Sequence, residues 1–196
     1  MNKLFLLLAV PAVILLFSCN PTGADEPEKP VEYDIEFSAQ KIEALAIPPE
    51  TAGFLLEIET DCHVMALNMS DNGFDELGLE LPNSTYFVVS FLYEVPDGGD
   101  EIKVADGVYE YVAGKLEAGN IVLEMCYYTR TGSAVNDWEV EYVEDLSFTD
   151  AVLTVTTEGG QQTFDFAATL EDGRTAHAVY TGDVSFDEIA FNPDDF

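Results

Sequence analysis

The chain has 196 residues, with 38 Asp and Glu against 7 Lys and Arg, and a formal net charge of −31. A surface this acidic repels polyphosphate, which excludes nucleic acid as a partner. A hydrophobic share of 47%, with 12% aromatic residues, is well above that of a disordered acidic chain, so a core can form.

The first element is a leader. Asn2 and Lys3 precede an apolar run from Leu4 to Phe17, and Pro21, Gly23 and a string of acids end it. The run is 14 residues long, short of the roughly 20 that a membrane-crossing helix needs. Residues 1–18 are therefore expected to be a signal peptide, but without the small residues of an Ala-x-Ala cleavage site. Leu16-Phe17-Ser18-Cys19 instead resembles the bacterial lipobox. That resemblance implies that Cys19 is lipidated, becomes the new N-terminus and fastens the protein to a membrane through several acyl chains, with each buried CH₂ worth about 0.8 kcal/mol.

Residues 19–32 read as a tether, because Gly23-Ala24-Asp25-Glu26-Pro27-Glu28-Lys29-Pro30 is polar, acidic and broken by proline. An acidic tract behind a lipidated cysteine resembles the export signals of Bacteroidetes lipoproteins. This implies a lipid-anchored outer-membrane protein at the cell surface, with the periplasmic face of the same membrane as the alternative.

Residues 33–196 read as a single all-β domain. Phe37, Ile42 and Leu45 carry helical spacing over Phe37–Ala46, with Pro48-Pro49 as the stop, and an edge strand is the competing reading. Strands are expected at Phe54–Glu59, His63–Met69, Tyr86–Tyr93, Gly107–Val112, Ile121–Thr129, Trp138–Val143, Ala151–Thr157, Thr163–Leu170 and Thr175–Val184. Phe164, Phe166, Ala168 and Leu170 alternate with Thr163, Asp165, Ala167 and Thr169, the mark of a half-buried antiparallel strand. Asp172-Gly173 carries a type I′ hairpin signal, and Gly159-Gly160 equally permits positive φ, so the last three strands form a meander. Short strands at this spacing predict an antiparallel β-sandwich or β-barrel of about 8–10 strands.

Leu81-Pro82-Asn83-Ser84-Thr85-Tyr86-Phe87 and Val104-Ala105-Asp106-Gly107-Val108-Tyr109-Glu110 echo one another as a polar turn leading into a tyrosine-bearing strand. With the closing Tyr180-Thr181-Gly182, they resemble uncharacterised Bacteroidetes lipoproteins with β-sandwich or calycin-like domains. The resemblance implies a fold and no activity.

With Cys19 assigned to the anchor, Cys62 and Cys126 remain. An oxidising envelope allows a disulfide between them, and two buried thiols are the other reading. Their separation and the scarcity of histidine, His63 and His177 alone, give no structural zinc pattern. His177 lies opposite the Ala176, Ala178 and Tyr180 face and is expected to be solvent-facing or satisfied. No nucleophile elbow, P-loop or His-Glu-x-x-His occurs, so enzyme classes that need them are not supported.

Calcium suits the acidic loops around Asp71 and Asp75 and around Asp97 and Asp100, although neither follows the EF-hand order and solvated turns explain the same residues. For a ligand, the stretch from Tyr127 to Trp138 joins aromatic and polar residues that can stack on and hydrogen-bond a sugar. Alternation with Glu139 and Glu141 turns Trp138, Val140 and Tyr142 toward a core. Tyr128 and Arg130 share a face with Glu124 and are expected to be exposed.

The expected function is a non-enzymatic binding or interaction module, with a glycan or an envelope protein as partner. One alternative is a calycin-like barrel holding a small apolar ligand among Val88, Phe91, Met125 and Phe166. Another is a structural or inhibitory protein that presents an acidic face to a basic partner.

Overall fold

A computed structural model describes residues 31–75, 78–96, 102–136 and 139–189. Cys19, Asp97, Asp100 and Trp138 lie outside the described residues. Glu32–Phe196 forms one compact unit, and it is predominantly β. In chain order its elements are β1 (Ile35–Ser38), β2 (Lys41–Ile47), α1 (Pro49–Leu55), β3 (His63–Ser70), β4 (Thr85–Tyr93) and β5 (Gly107–Glu110). A 3₁₀ turn at Leu123–Met125 leads into β6 (Tyr127–Asn136), followed by β7 (Glu139–Glu158), β8 (Gln161–Leu170), β9 (Thr175–Gly182) and β10 (Asp187–Glu188).

The hydrogen-bonded path runs β1-β9-β8-β7-β6-β4-β3-β2-β10, with β5 on β7. Its centre is antiparallel as expected, but β1 on β9 and β10 on β2 pair in parallel, so the sheet is mixed. The path ends at β1 and β10 and does not close into a barrel.

One strand joins the two halves of this sheet. The first nine residues of β7, Glu139–Ser147, pair with β6, and Phe148–Glu158 pair with β8, with a register shift between Phe148 and Asp150. A bulge bends a strand and lets it pass from one sheet layer to another. The halves then face each other over one core, in which Leu67, Phe87 and Phe91 meet Leu153, Phe164 and Phe166. Phe148 sits at the corner, with ring centroids 6.3 Å from Phe87 and 5.3 Å from Phe166.

Local chemistry explains where the expected elements shift. Over Phe37–Ala46 the chain is strand, not helix, and Ala44 and Ala46 bury with period two against β3. Pro48-Pro49 starts a helix here instead of stopping one, since Pro49 occupies the first turn, where its fixed φ suits the helix and its missing N–H costs nothing. The strand expected at Phe54–Glu59 is therefore the end of α1 and the chain after it. Ile121–Thr129 is not continuous either: Ile121 makes an isolated bridge to Phe91, the 3₁₀ turn follows, and β6 starts at Tyr127. The segments at Trp138–Val143 and Ala151–Thr157 belong to the single strand β7.

Both glycine turns are hairpins of different kinds. Gly159 and Gly160 have φ of +62° and +91°, as a two-residue type I′ turn requires. At Asp172-Gly173 only the glycine has positive φ, and Gly173 N donates to Leu170 O while Leu170 N donates to Arg174 O. That is a three-residue loop with a glycine bulge, which corrects the type I′ expectation.

A second, smaller apolar cluster of Ala52, Val64, Leu92 and Val122 lies under α1, on the face of β4 opposite Phe91. Cys62 packs against this cluster, whereas Cys126 belongs to the main core. The possible Cys62–Cys126 bridge is not formed, and both are free thiols, the other reading of the pair. Cys126 is satisfied in place, accepting from Ser90 N at 3.1 Å and donating to Val122 O at 3.2 Å. The same division separates the four residues of the apolar-ligand alternative. Phe91 and Phe166 fill the main core, Met125 packs on the second cluster, and Val88 joins neither.

Candidate functional site

β4 pairs with β6 only over Thr85–Val88, opposite Tyr127–Arg130. Past that point the segment before β4 takes over the edge: Asn83 N donates to Gly132 O and Thr131 N to Ser84 O. The same segment crosses the outer face of the β6–β7 ribbon, where the Thr131 hydroxyl donates to Leu81 O at 2.6 Å. Buried Tyr86 pins it from beneath, accepting from Leu81 N at 2.6 Å and donating to Gly73 O at 2.9 Å. Gly132 leaves little room beside β7, because a Cβ there would lie 3.0 Å from Val143 and Glu141 side-chain atoms, which would have to shift slightly.

Asp71 and Asp75 serve this segment. Asp71 accepts from Thr85 N at 3.1 Å and Asp75 from Leu79 N at 2.8 Å, so each carboxylate secures a turn. Among the described residues no three His, Cys, Asp or Glu side chains are gathered to hold a metal ion.

The crossing segment places Glu80 against the ribbon and divides its outer face into two adjoining cavities that share Glu80 and Tyr142. One, of about 350 Å³, runs from Leu79–Pro82 toward Asn136 and Glu139. The other, of about 400 Å³, lies over Tyr127, Thr129, Asp145 and Glu124. Tyr127 is 38% exposed and Tyr142 57% exposed. The Tyr142 hydroxyl hydrogen-bonds to the Glu80 carboxyl, and Oε2 of Glu80 is buried with no hydrogen-bond partner. Burial raises the Glu80 carboxyl above its ordinary range; the Tyr142 hydrogen bond works against this, and the Asp145 charge adds to it. Burial also raises both phenols, with the Glu80 charge adding to it, so they remain neutral hydroxyls at pH 7.

Comparison with known proteins returns no family model, no curated protein and no solved structure that matches this chain. The site therefore rests on its own geometry.

That geometry corrects the expected contact residues. Tyr128 is only 3% exposed and packs in the main core, 5.0 Å from Phe87 between ring centroids. Its neighbour Tyr127 is the exposed one, since the 3₁₀ turn between Glu124 and β6 breaks the alternation that linked Glu124 to Tyr128. Tyr142, expected to face a core, instead lines the groove. Arg130 follows Tyr128 on the inner side and is exposed at its end, where it is paired, Nε to Glu144 Oε2, at 3.2 Å. Arg174 reaches the other Glu144 oxygen at 2.8 Å, and the Tyr128 hydroxyl donates to Oε2 at 3.2 Å. This cluster closes one end of the core and leaves the outer groove without an arginine.

His177 is satisfied on the outer side of β9, 2.9 Å from Asp165 and stacked on Tyr33. A larger cavity, about 640 Å³, opens between Tyr93, Val104, Gln162 and Val184. Two of its polar side chains are engaged internally: Gln162 Nε2 donates to Val104 O at 2.8 Å and the Tyr93 hydroxyl to Lys103 O at 3.1 Å. Two exposed aromatic rings that share a cavity with the Glu80 carboxyl distinguish the groove. Sequence reasoning missed Glu80, Tyr127 and Asp145, although the stretch it singled out, from Tyr127 to Trp138, begins inside this groove.

Proposed function

We propose that this chain is a bacterial lipoprotein of the outer membrane, anchored through Cys19 at the cell surface, whose β domain is a non-enzymatic module that binds glycans in the groove at Glu80. The observation that carries this reading is the pair of exposed rings, Tyr127 and Tyr142, that line one cavity with the Glu80 carboxyl. A pyranose presents an apolar face that stacks on such a ring and hydroxyls that donate to Glu80, Asp145 and Asn136, so each part of the groove has a matching part of the ligand. The periplasmic face of the outer membrane is the alternative location. A glycan array probed with residues 32–196, which carry the whole core, tests the binding. Retention of a defined glycan that is lost with Tyr142→Ala is the expected result, and an array with no bound glycan overturns the reading.

A further inference from the structure

We infer that Tyr33 and Asp34, where the chain enters the domain, form with Thr175 and His177 a clasp that holds β1 against a pull on the amino end, so that the domain stays folded under load on its tether. The inference rests on the amino-terminal anchor proposed above and adds how the domain bears it.

Both ends of the strand path are short parallel strands, β1 on β9 and β10 on β2. Four residues and two residues of parallel pairing are weak attachments by themselves. Only β1 is reinforced. Asp34 and Thr175 bind reciprocally: Thr175 N donates to Asp34 Oδ2 at 2.8 Å and the Thr175 hydroxyl to the same oxygen at 3.1 Å, while Asp34 N donates to Thr175 Oγ1 at 3.2 Å. The Tyr33 ring stacks on His177, with centroids 4.8 Å apart and planes 16° apart. Nε2 of His177 lies 2.9 Å from Asp165 Oδ1, which carries the contact one strand further, to β8. Beneath β1 the Phe37 ring stacks on Phe87 at 5.3 Å, and past its end Ala39 N donates to Val179 O at 2.8 Å. β10 is held by its pairing with Leu45 and Ala46 and by Ile189 N donating to Ala46 O; among the described residues Asp187 and Glu188 add no side-chain hydrogen bond.

The reinforcement sits where a tether loads the sheet. β1 runs with β9, from Ile35 opposite Ala176 to Ser38 opposite Val179, and the Gly159-Gly160 hairpin lies at the other end of β9, beside Gln162 opposite Gly182. A pull between residue 33 and that hairpin therefore runs along the strands. It shears the seam, whose hydrogen bonds bear the load together, whereas a pull across the strands peels them one at a time. Tyr33 and Asp34 precede the first residue of β1, so the strand cannot slip until Asp34 leaves Thr175 and Tyr33 leaves His177. The carboxylate makes the Asp34 bonds charge-assisted, the stronger kind. A contact that merely stapled an edge strand would resist every direction of pull alike, so direction separates the two roles.

Single-molecule pulling on residues 20–196, which keep the tether and the compact unit, tests this. One handle is fixed to the amino end and the other to Glu158→Cys, with Cys62→Ser in every variant so that the introduced thiol alone reacts. Under a fixed load, Tyr33→Ala with Asp34→Ala is expected to unfold about tenfold faster than the parent, three hydrogen bonds at an exposed site being worth about that factor together. His177→Ala is expected to shift the rate in the same direction by less. With the handles moved to Val135→Cys and Glu158→Cys, a line of force that leaves β1 out, the same variants are expected to unfold at the rate of the parent. Equal acceleration along both lines overturns the clasp in favour of a plain edge staple, and no acceleration along the first line overturns it outright. The anchor is decided separately, by the mass of the mature amino end, so either reading can fail without the other.

Discussion

Arg174 and Glu144 stand 30 residues apart in the chain and 2.8 Å apart in the fold. Their contact ties the β8–β9 hairpin to β7, and with Arg130 and Tyr128 it forms a polar lid on one end of the core.

This lid makes stability depend on pH in a defined direction. Burial alone would raise the Glu144 carboxyl, but hydrogen bonds from Arg174 and Tyr128 and the charge of Arg130 outweigh it and hold it below its ordinary 4.5. A depressed carboxyl contributes stability that is fully present above the unfolded value and is lost as pH falls through the folded one. Glu144→Gln is expected to cost about 1–2 kcal/mol at pH 7, reduced from a fully buried pair because both arginines are partly solvated. Urea titrations should show the gap between the two proteins narrowing below pH 4.5, the ordinary carboxyl value.

Two tyrosines of the β6–β7 ribbon should behave as opposites. Tyr128→Ala empties a core position and is expected to destabilise by about 3–5 kcal/mol, in the range of large aromatic truncations. Tyr142→Ala removes an exposed ring and should change stability by less than about 0.5 kcal/mol while weakening glycan binding more than tenfold. Melting curves and calorimetry on the two variants separate core from contact.

Thiol chemistry checks the separation of the cysteines. Burial pushes the Cys126 thiol up to about 12, and its hydrogen bonds to Ser90 and Val122 hold it in place. Thiolate is the reactive form, so Cys126 should resist a thiol reagent in the folded domain while half-buried Cys62 reacts slowly. Both should react in guanidinium without a reductant. A mass 2 Da lower, as a disulfide gives, would contradict the fold.

The anchor is tested in the intact chain. Mass spectrometry of the mature protein should find an acylated Cys19 as the first residue, and Cys19→Ser should move the protein from the membrane to the soluble fraction. An unmodified Cys19, or a start further downstream, overturns the anchor.

What could be read in advance was what local chemistry decides. β8 alternates without interruption, and Phe164, Phe166 and Leu170 bury as their spacing says. The strands β1 and β2 were less legible because Phe37, Ile42 and Leu45 keep a helical spacing, whereas the strand reading rests on the small Ala44 and Ala46. Only β3 lying alongside β2 decides between them. Tyr128 misled for a different reason: its face was counted from Glu124 through a 3₁₀ turn, where alternation does not hold. The groove itself depends on Glu80 meeting Tyr142, a pairing across 62 positions that no local pattern announces.

The parallel seam between β1 and β9 joins Ile35 to Ala176, near opposite ends of the domain. A chain that crosses a membrane unfolded, amino end first, delivers β1 long before its partner. Until β9 arrives, β1 has no neighbour in the sheet, and closing so long a loop is slow. Under the export proposed above, the domain would mature only after nearly the whole chain has emerged, with its first strand among the last to be secured. With the proposed amino-terminal tether, the strand next in sequence to the anchor would be the last to become rigid.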